Sequence, residues 1–322
     1  MINAYSIDEI MKKLLITGAI INLFVCGFAG YTFKMYLDTK HTPNVNKDPF
    51  NMENMTEAKD VPTDGSSPKD YSILENIQYA SGYLKNNRNW KAITTGDVKS
   101  NAGVNVTQQV YNTRIVNKDY MYQEAISYSS LVKVAAQKFY NSEKVFIKNG
   151  NPKSLNEVSW NNNVTPVTYE YIYTNYGFTP DQLNSYYYAE ESLLDSSSME
   201  EVDGNYVLHV DLNETGAINS RREVVTMGGA LDNPNYTMIH ADITITPEWK
   251  VLSIDVSESY SIKKNIGLGV VTATCNSVLS ETFEYNQYIS DSVISYYKDF
   301  FGAVTSDQIS DSENKTPLTY LQ

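Results

Sequence analysis

Thr237 to Tyr285 reads TMIHADITITPEWKVLSIDVSESYSIKKNIGLGVVTATCNSVLSETFEY. Ile239, Ala241, Ile243 and Ile245 alternate with Met238, His240, Asp242 and Thr244. A strand turns successive side chains to opposite faces, so a period of two predicts a half-buried strand. Pro247-Glu248-Trp249-Lys250 turns the chain. Leu252, Ile254, Val256, Tyr260 and Ile262 continue an apolar face that Glu258 interrupts. After Lys263 to Gly269, a third strand carries Val271, Ala273, Cys275, Leu279, Phe283 and Tyr285, with Glu281 on the same face. The stretch predicts an antiparallel meander, apolar on one side and polar on the other.

Working outward, Ser192 to Val202 and Asn205 to Leu212 flank Asp203-Gly204, a dipeptide suited to a two-residue hairpin turn. Asn213 is placed to cap a helix from Glu214 to about Met227, closed by Gly228-Gly229. Thr179 as N-cap with Pro180 at the first helical position predicts another helix start, and helix is preferred for the tyrosine-rich stretch from Pro166 to Gly177. Strands are expected near Thr94–Val98 and over Val104–Val116, Tyr120–Ser130, Val132–Tyr140 and Lys144–Lys148. Asn117-Lys118-Asp119 reads as a turn within this run, and Asn149-Gly150-Asn151-Pro152 as its end. Ile73, Ile77, Ala80 and Leu84 recur at spacings of three and four, which predicts a helix over Ser72–Lys85. Tyr288–Phe301 reads as a last helix.

The chain has 322 residues, 42% of them hydrophobic, and a net charge of -13. That supplies a core and disfavours nucleic acid as a partner, since phosphate binding draws on basic surface. Residues 14 to 33 carry no charge. About 20 such residues cross a bilayer core as a helix. The organisation expected is a cytoplasmic N-terminus (1–13), a transmembrane anchor (14–36), a flexible linker rich in proline and polar residues (37–69), an extracytoplasmic domain (70–302) and a polar tail (303–322). The competing reading of the apolar segment is a signal peptide cleaved after Ala29. Cys26 and Cys275 lie in different parts of this plan, so neither a disulfide framework nor a cysteine metal cluster is expected.

An opening helix around Ile77, strands from Val104 to Tyr140, the Asp203-Gly204 hairpin and the strands from Thr237 to Tyr285 follow one another in an order that resembles the bacterial lipoprotein-carrier fold. LolA-like and LppX-like carriers and related Firmicute surface lipoproteins share it. The resemblance spans residues 70 to 302 and rests on element order, without a diagnostic motif. It implies a curved, incomplete barrel whose concave side holds acyl chains or other apolar groups. The fold class expected is therefore α+β, a curved antiparallel sheet with helices on its concave side. An anchor at residues 14–36 argues against free shuttling.

Two constellations are candidates for chemistry. His209 and Asp211 share one strand face, and His240 and Asp242 share another. If the two strands are neighbours, two imidazoles and two carboxylates can meet and suit zinc or another divalent metal; otherwise these are solvated polar faces. The second is the tyrosine-rich region, in a chain with 26 tyrosines. Tyr169, Tyr173, Tyr176, Tyr186 and Tyr187 are candidates to line a groove for an amphipathic ligand, or else they cover the sheet at the margin of the core. Gly267-Leu268-Gly269 reads as a turn between strands rather than a dinucleotide loop, and no Gly-x-Ser-x-Gly occurs. No cofactor and no enzymatic activity are expected. The first functional reading is a membrane-anchored binding module for a lipid, an amphipathic ligand or an envelope protein. The alternatives are a structural component of a secretion or conjugation assembly, and a metal-dependent hydrolase.

Overall fold

The computed structural model describes residues 55–102, 105–118, 120–129, 133–141, 144–220, 231–265, 270–303 and 318–319. Its strands are β1 (Asn89–Asn101), β2 (Asn105–Asn117), β3 (Tyr120–Tyr128), β4 (Lys133–Tyr140), β5 (Lys144–Ser154), β6 (Glu157–Thr168), β7 (Ser198–Val202), β8 (Asn205–Asp211), β9 (Asn235–Ile245), β10 (Val251–Asn265), β11 (Val270–Tyr285) and β12 (Leu318–Thr319). The helices are α1 (Ile73–Asn86), α2 (Tyr169–Tyr176) and α3 (Asp291–Ala303).

Among the described residues, twelve strands form one antiparallel sheet in the order β12-β6-β5-β4-β3-β2-β1-β11-β10-β9-β8-β7. Two meanders compose it, β1 to β6 and β7 to β11. They join where β1 pairs with β11, in a register that sets Thr94 opposite Glu281 and Gly96 opposite Leu279. The stretch from Thr237 to Tyr285 forms most of β9, β10 and β11, with Ile239, Ala241, Ile243, Ile245, Val256, Tyr260 and Leu279 buried on one face. Asp203 and Gly204 take φ of 49° and 77° in the β7–β8 turn, the left-handed pair that a tight hairpin requires.

α1 packs on this covered face. Ser72 caps it, accepting from the Glu75 amide, while Glu75 accepts from the Ser72 amide at 2.9 Å. Ile77, Ala80 and Leu84 lie in the core. Asn76 Oδ1 accepts from Trp249 Nε1 at 2.7 Å, and the Leu84 carbonyl accepts from Trp90 Nε1 at 3.2 Å, so both buried indoles are satisfied. Residues 55–69, expected within the linker, lie against this helix: the Lys59 amide donates to the Gln78 carbonyl at 3.0 Å and Val61 packs on the core.

The class is mostly β rather than α+β, and several expectations are corrected. The sheet is open, and its helices are divided between its two faces. α1 and α2 sit on the covered face, whereas α3 packs on the other, where Tyr297 stacks on Phe139 at 4.7 Å beside Phe146 and Ile289. Asn149 to Pro152 does not end the first meander, because β5 continues through a register shift between Lys148 and Gly150 and β6 follows. No helix starts at Thr179; after Asn213 a 3-10 turn over Glu214–Ala217 comes first, Ser220 is helical, and residues 221–227 of the helix expected there lie outside the described residues. Among the described residues no helix is long and apolar enough to cross a membrane. The anchor expected at 14–36 lies outside the described residues, as does most of the tail.

Candidate functional site

Topology forces a long connection across the sheet. β6 stands next to one edge and β7 forms the other. Ten strand spacings of about 4.8 Å separate them, roughly 48 Å laid flat. Residues 169–197 make that journey as α2 followed by irregular chain, and the journey takes more than half of their full extension. We call this segment the strap. Phe178, Leu183, Tyr186 and Tyr188 on it are buried.

The strap is fastened by polar groups inside the apolar layer. Arg114 on β2 is fully buried. Its Nη1 donates to the carbonyls of Pro180 at 3.1 Å and Gln182 at 2.7 Å, and its Nη2 to that of Leu183 at 3.1 Å. Its Nε and Nη2 also donate to the two oxygens of Glu281 at 3.0 and 2.7 Å, and Thr94 Oγ1 donates to the same carboxylate at 2.9 Å. All five N–H groups of the guanidinium are therefore used, and the rings of Trp90, Phe178 and Phe283 surround it at 5.4 to 5.6 Å. This explains the missing helix after Pro180: Arg114 takes carbonyls that a helix would bond to its own amides. Burial raises the Glu281 carboxyl above its ordinary range, opposed by the Arg114 charge and the Thr94 hydrogen bond.

A second fastening lies further along. Tyr186 Oη donates to the buried Glu258 carboxylate at 2.7 Å, on β10. Burial pushes that carboxyl up to about 7, against the Tyr186 hydrogen bond. The Tyr187 amide donates to Gly216 at 2.8 Å, and Leu193 bridges Leu212 at the far end. Between this end and the first turn of α1 lies an open cleft of about 920 Å³, lined by Ile73, Leu74, Gln78, Tyr187, Leu193 and Leu194 among others.

Of the five candidate tyrosines, the structure keeps Tyr169 and Tyr173 together and parts Tyr186 from Tyr187. Tyr169 and Tyr173 lie on α2, their rings 6.3 Å apart, with Tyr169 Oη donating to the Asn141 carbonyl at 2.6 Å. Tyr186 is inside, on Glu258, while Tyr187 turns outward to Glu191 at 3.0 Å. Tyr176 is in α2, and its side chain lies outside the described groups. Sequence reading noted Glu258 and Glu281 on apolar faces but passed over Arg114. The signal was available: Arg114 is in phase with Val106, Val110 and Val116, a cation on the buried side of a strand.

The two His-x-Asp pairs lie on the face opposite the strap. β8 and β9 are neighbours, with His209 opposite Asp242 and Asp211 opposite His240. His209 Nδ1 is 2.6 Å and His240 Nε2 3.0 Å from the same oxygen, Asp242 Oδ1. His240 Nδ1 meets Asp211 Oδ1 at 2.6 Å, Ser196 Oγ donates to Asp211 Oδ2 at 2.6 Å, and Glu200 Oε1 stands 3.4 Å from His209 Nε2. Burial alone would lower the His240 pKa, but the Asp211 hydrogen bond and the charges of Asp242 and Asp211 outweigh it and raise it. The Ser196 and His240 hydrogen bonds lower that of Asp211.

No family model matches the chain, and no curated protein matches it. Solved structures similar to it include a DUF1329 family protein from Desulfovibrio piger, at 9% identity and a TM-score of 0.28 over 70% of this chain and 98% of that one. An outer membrane lipoprotein-sorting protein domain from Vibrio parahaemolyticus matches at 9% identity and a TM-score of 0.28, over 70% and 99%. A LolA superfamily protein from Nitrosomonas europaea matches at 9% identity and a TM-score of 0.25, over 71% and 97%. These neighbours are of the group that the element order resembles. A likeness of this size carries no functional argument.

Proposed function

We propose that this domain is a non-enzymatic binding module that receives an apolar or amphipathic ligand, such as an acyl chain, on the covered face beneath the strap. The observation that carries this reading is the polar fastening of the strap. A buried, fully bonded ion pair contributes less to stability than apolar packing of the same volume. Three strap carbonyls held by one guanidinium make an attachment that opens as a unit, while the sheet keeps its own hydrogen bonds. Lifting the strap withdraws Leu183, Tyr186 and Tyr188 from the apolar layer to which Val256 and Leu279 also belong. Both described histidines stand on the other face, so the described part of the ligand site has no imidazole for general acid or base work. The uncharged segment at residues 14–33 supports a single-pass membrane anchor with the domain outside the cytoplasm.

The test is native mass spectrometry of the full chain, released from detergent in the gas phase, followed by organic extraction. A stoichiometric lipid or acyl adduct is expected. A chain without adduct that also fails to bind a fluorescent fatty acid would sink the proposal and shift weight to an envelope protein partner.

A further inference from the structure

We propose that His209, His240 and Asp242 form a site for a divalent transition cation of the zinc type, on the sheet face opposite the strap. The ligating atoms of these three residues lie within 4.8 Å of one another. Two ring nitrogens flank one carboxylate oxygen at 2.6 and 3.0 Å. Zinc–nitrogen bonds of about 2.0–2.1 Å place tetrahedral ligands roughly 3.3 Å apart, so modest side-chain movement admits the ion.

The outer partners are those a metal site needs. A ligating imidazole is oriented by a carboxylate on its other nitrogen, which also raises its basicity. Asp211 stands there for His240 at 2.6 Å, itself held by Ser196, and Glu200 stands there for His209 at 3.4 Å. Asp255 lies opposite Asp242 on β10 and adds negative charge to the same face. Two imidazoles favour zinc over magnesium or calcium, which prefer all-oxygen sites.

The ligands come from β8 and β9, and Glu200 from β7, the edge strand. The ion therefore ties together the strands at this margin of the sheet. His209, His240 and Asp242 are each about a third exposed on a sheet face, and the cleft described above is lined by other residues. The site accordingly lies apart from that cleft and on the face opposite the ligand site under the strap.

The experiment uses the full chain without a polyhistidine tag, stripped with a chelator and titrated calorimetrically with zinc chloride. One equivalent is expected to bind and to raise the unfolding temperature, and excess magnesium or calcium is expected not to displace it. Cobalt in its place should give the visible absorption of a low-coordinate site. His209→Gln and His240→Gln should each abolish tight binding. Asp211→Asn should weaken it by about tenfold or more, as loss of an orienting partner does. His41→Gln, which alters the remaining histidine of the chain, should change nothing. Circular dichroism checks that each variant is folded. Absence of zinc binding, or binding unchanged in the His209→Gln/His240→Gln double variant, would overturn the proposal.

Discussion

Arg114 and Glu281 meet across β1, with both carboxylate oxygens bonded at 2.7 and 3.0 Å. They belong to different meanders, and β1 between them presents Ala92 and Thr94, a small side chain and a hydrogen-bond donor. The pair therefore spans the seam of the sheet and holds the strap at the same time. Arg114→Ala leaves Glu281 buried without its counter-charge, which costs about 3–5 kcal/mol in urea unfolding. The double variant Arg114→Met/Glu281→Leu should recover the part of that loss due to the unpaired charge, but not the part due to the Pro180, Gln182 and Leu183 carbonyls, which lose their donor. Arg114→Lys should keep the counter-charge yet stay below the parent, because an ammonium cannot reach two carboxylate oxygens and three carbonyls together. A double variant as unstable as Arg114→Ala would show that the loss is not one of charge compensation.

Glu258 makes stability depend on pH. Its carboxyl is raised to about 7 from an ordinary 4.5, so the folded state holds a proton that the unfolded state has released. Stability is then fully present below about pH 4.5, falls as pH rises towards 7, and levels off above. At pH 8 the loss is on the order of 3 kcal/mol. The groups around the carboxyl are Tyr186, which donates to it, and Cys275, whose ionisation burial disfavours. Glu258→Gln should be more stable than the parent at pH 8 by that order and should lose the advantage at pH 5. Parallel pH profiles for the two proteins would contradict the assignment.

Gly96 marks a close approach at the seam. A Cβ there would lie 2.1 Å from the Val278 carbonyl oxygen and 2.8 Å from Leu279 Cα. Both are backbone atoms of β11, so relief requires the two meanders to part. Gly96→Ala should cost about 2 kcal/mol or more in chemical unfolding. Gly65→Ala serves as the comparison: Gly65 has φ of 85° with nothing near its Cβ position, so any cost there is one of backbone conformation alone.

The sheet was legible because its strands alternate. β9 has its buried Ile239, Ala241, Ile243 and Ile245 in strict period two, and Asp203-Gly204 fixes the β7–β8 register. The neighbourhood of β8 and β9 was not legible, because residues 212–234 separate the two strands; their pairing brings the two His-x-Asp pairs onto one face. The strap was not legible. Thr179-Pro180 carries a good local helix signal, and it is overruled by a residue 66 positions away in sequence, Arg114, which takes the Pro180 carbonyl. Side-chain competition for backbone carbonyls leaves no periodic trace. The place of α3 was hidden for a similar reason: Tyr296 and Tyr297 show that one helix face is apolar, but not which side of the sheet it meets. A shared region of sequence is not a shared surface, as Tyr186 and Tyr187 show by pointing to Glu258 and Glu191.

The proposed topology has its own check. Protease added to intact cells should degrade the domain and leave a fragment containing residues 1–36, whereas a cleaved signal peptide would release the whole chain from the membrane. Full protection in intact cells would contradict the extracytoplasmic placement.

The most direct test of the central claim is photo-crosslinking of the full chain with a diazirine fatty acid, mapped by peptide mass spectrometry. The account expects crosslinks on the covered face, at Ile239, Val256 and Leu279, and on the inner side of the strap around Leu183, with labelling increased in Arg114→Lys. Crosslinks confined to the opposite sheet face, or no saturable labelling, would contradict it.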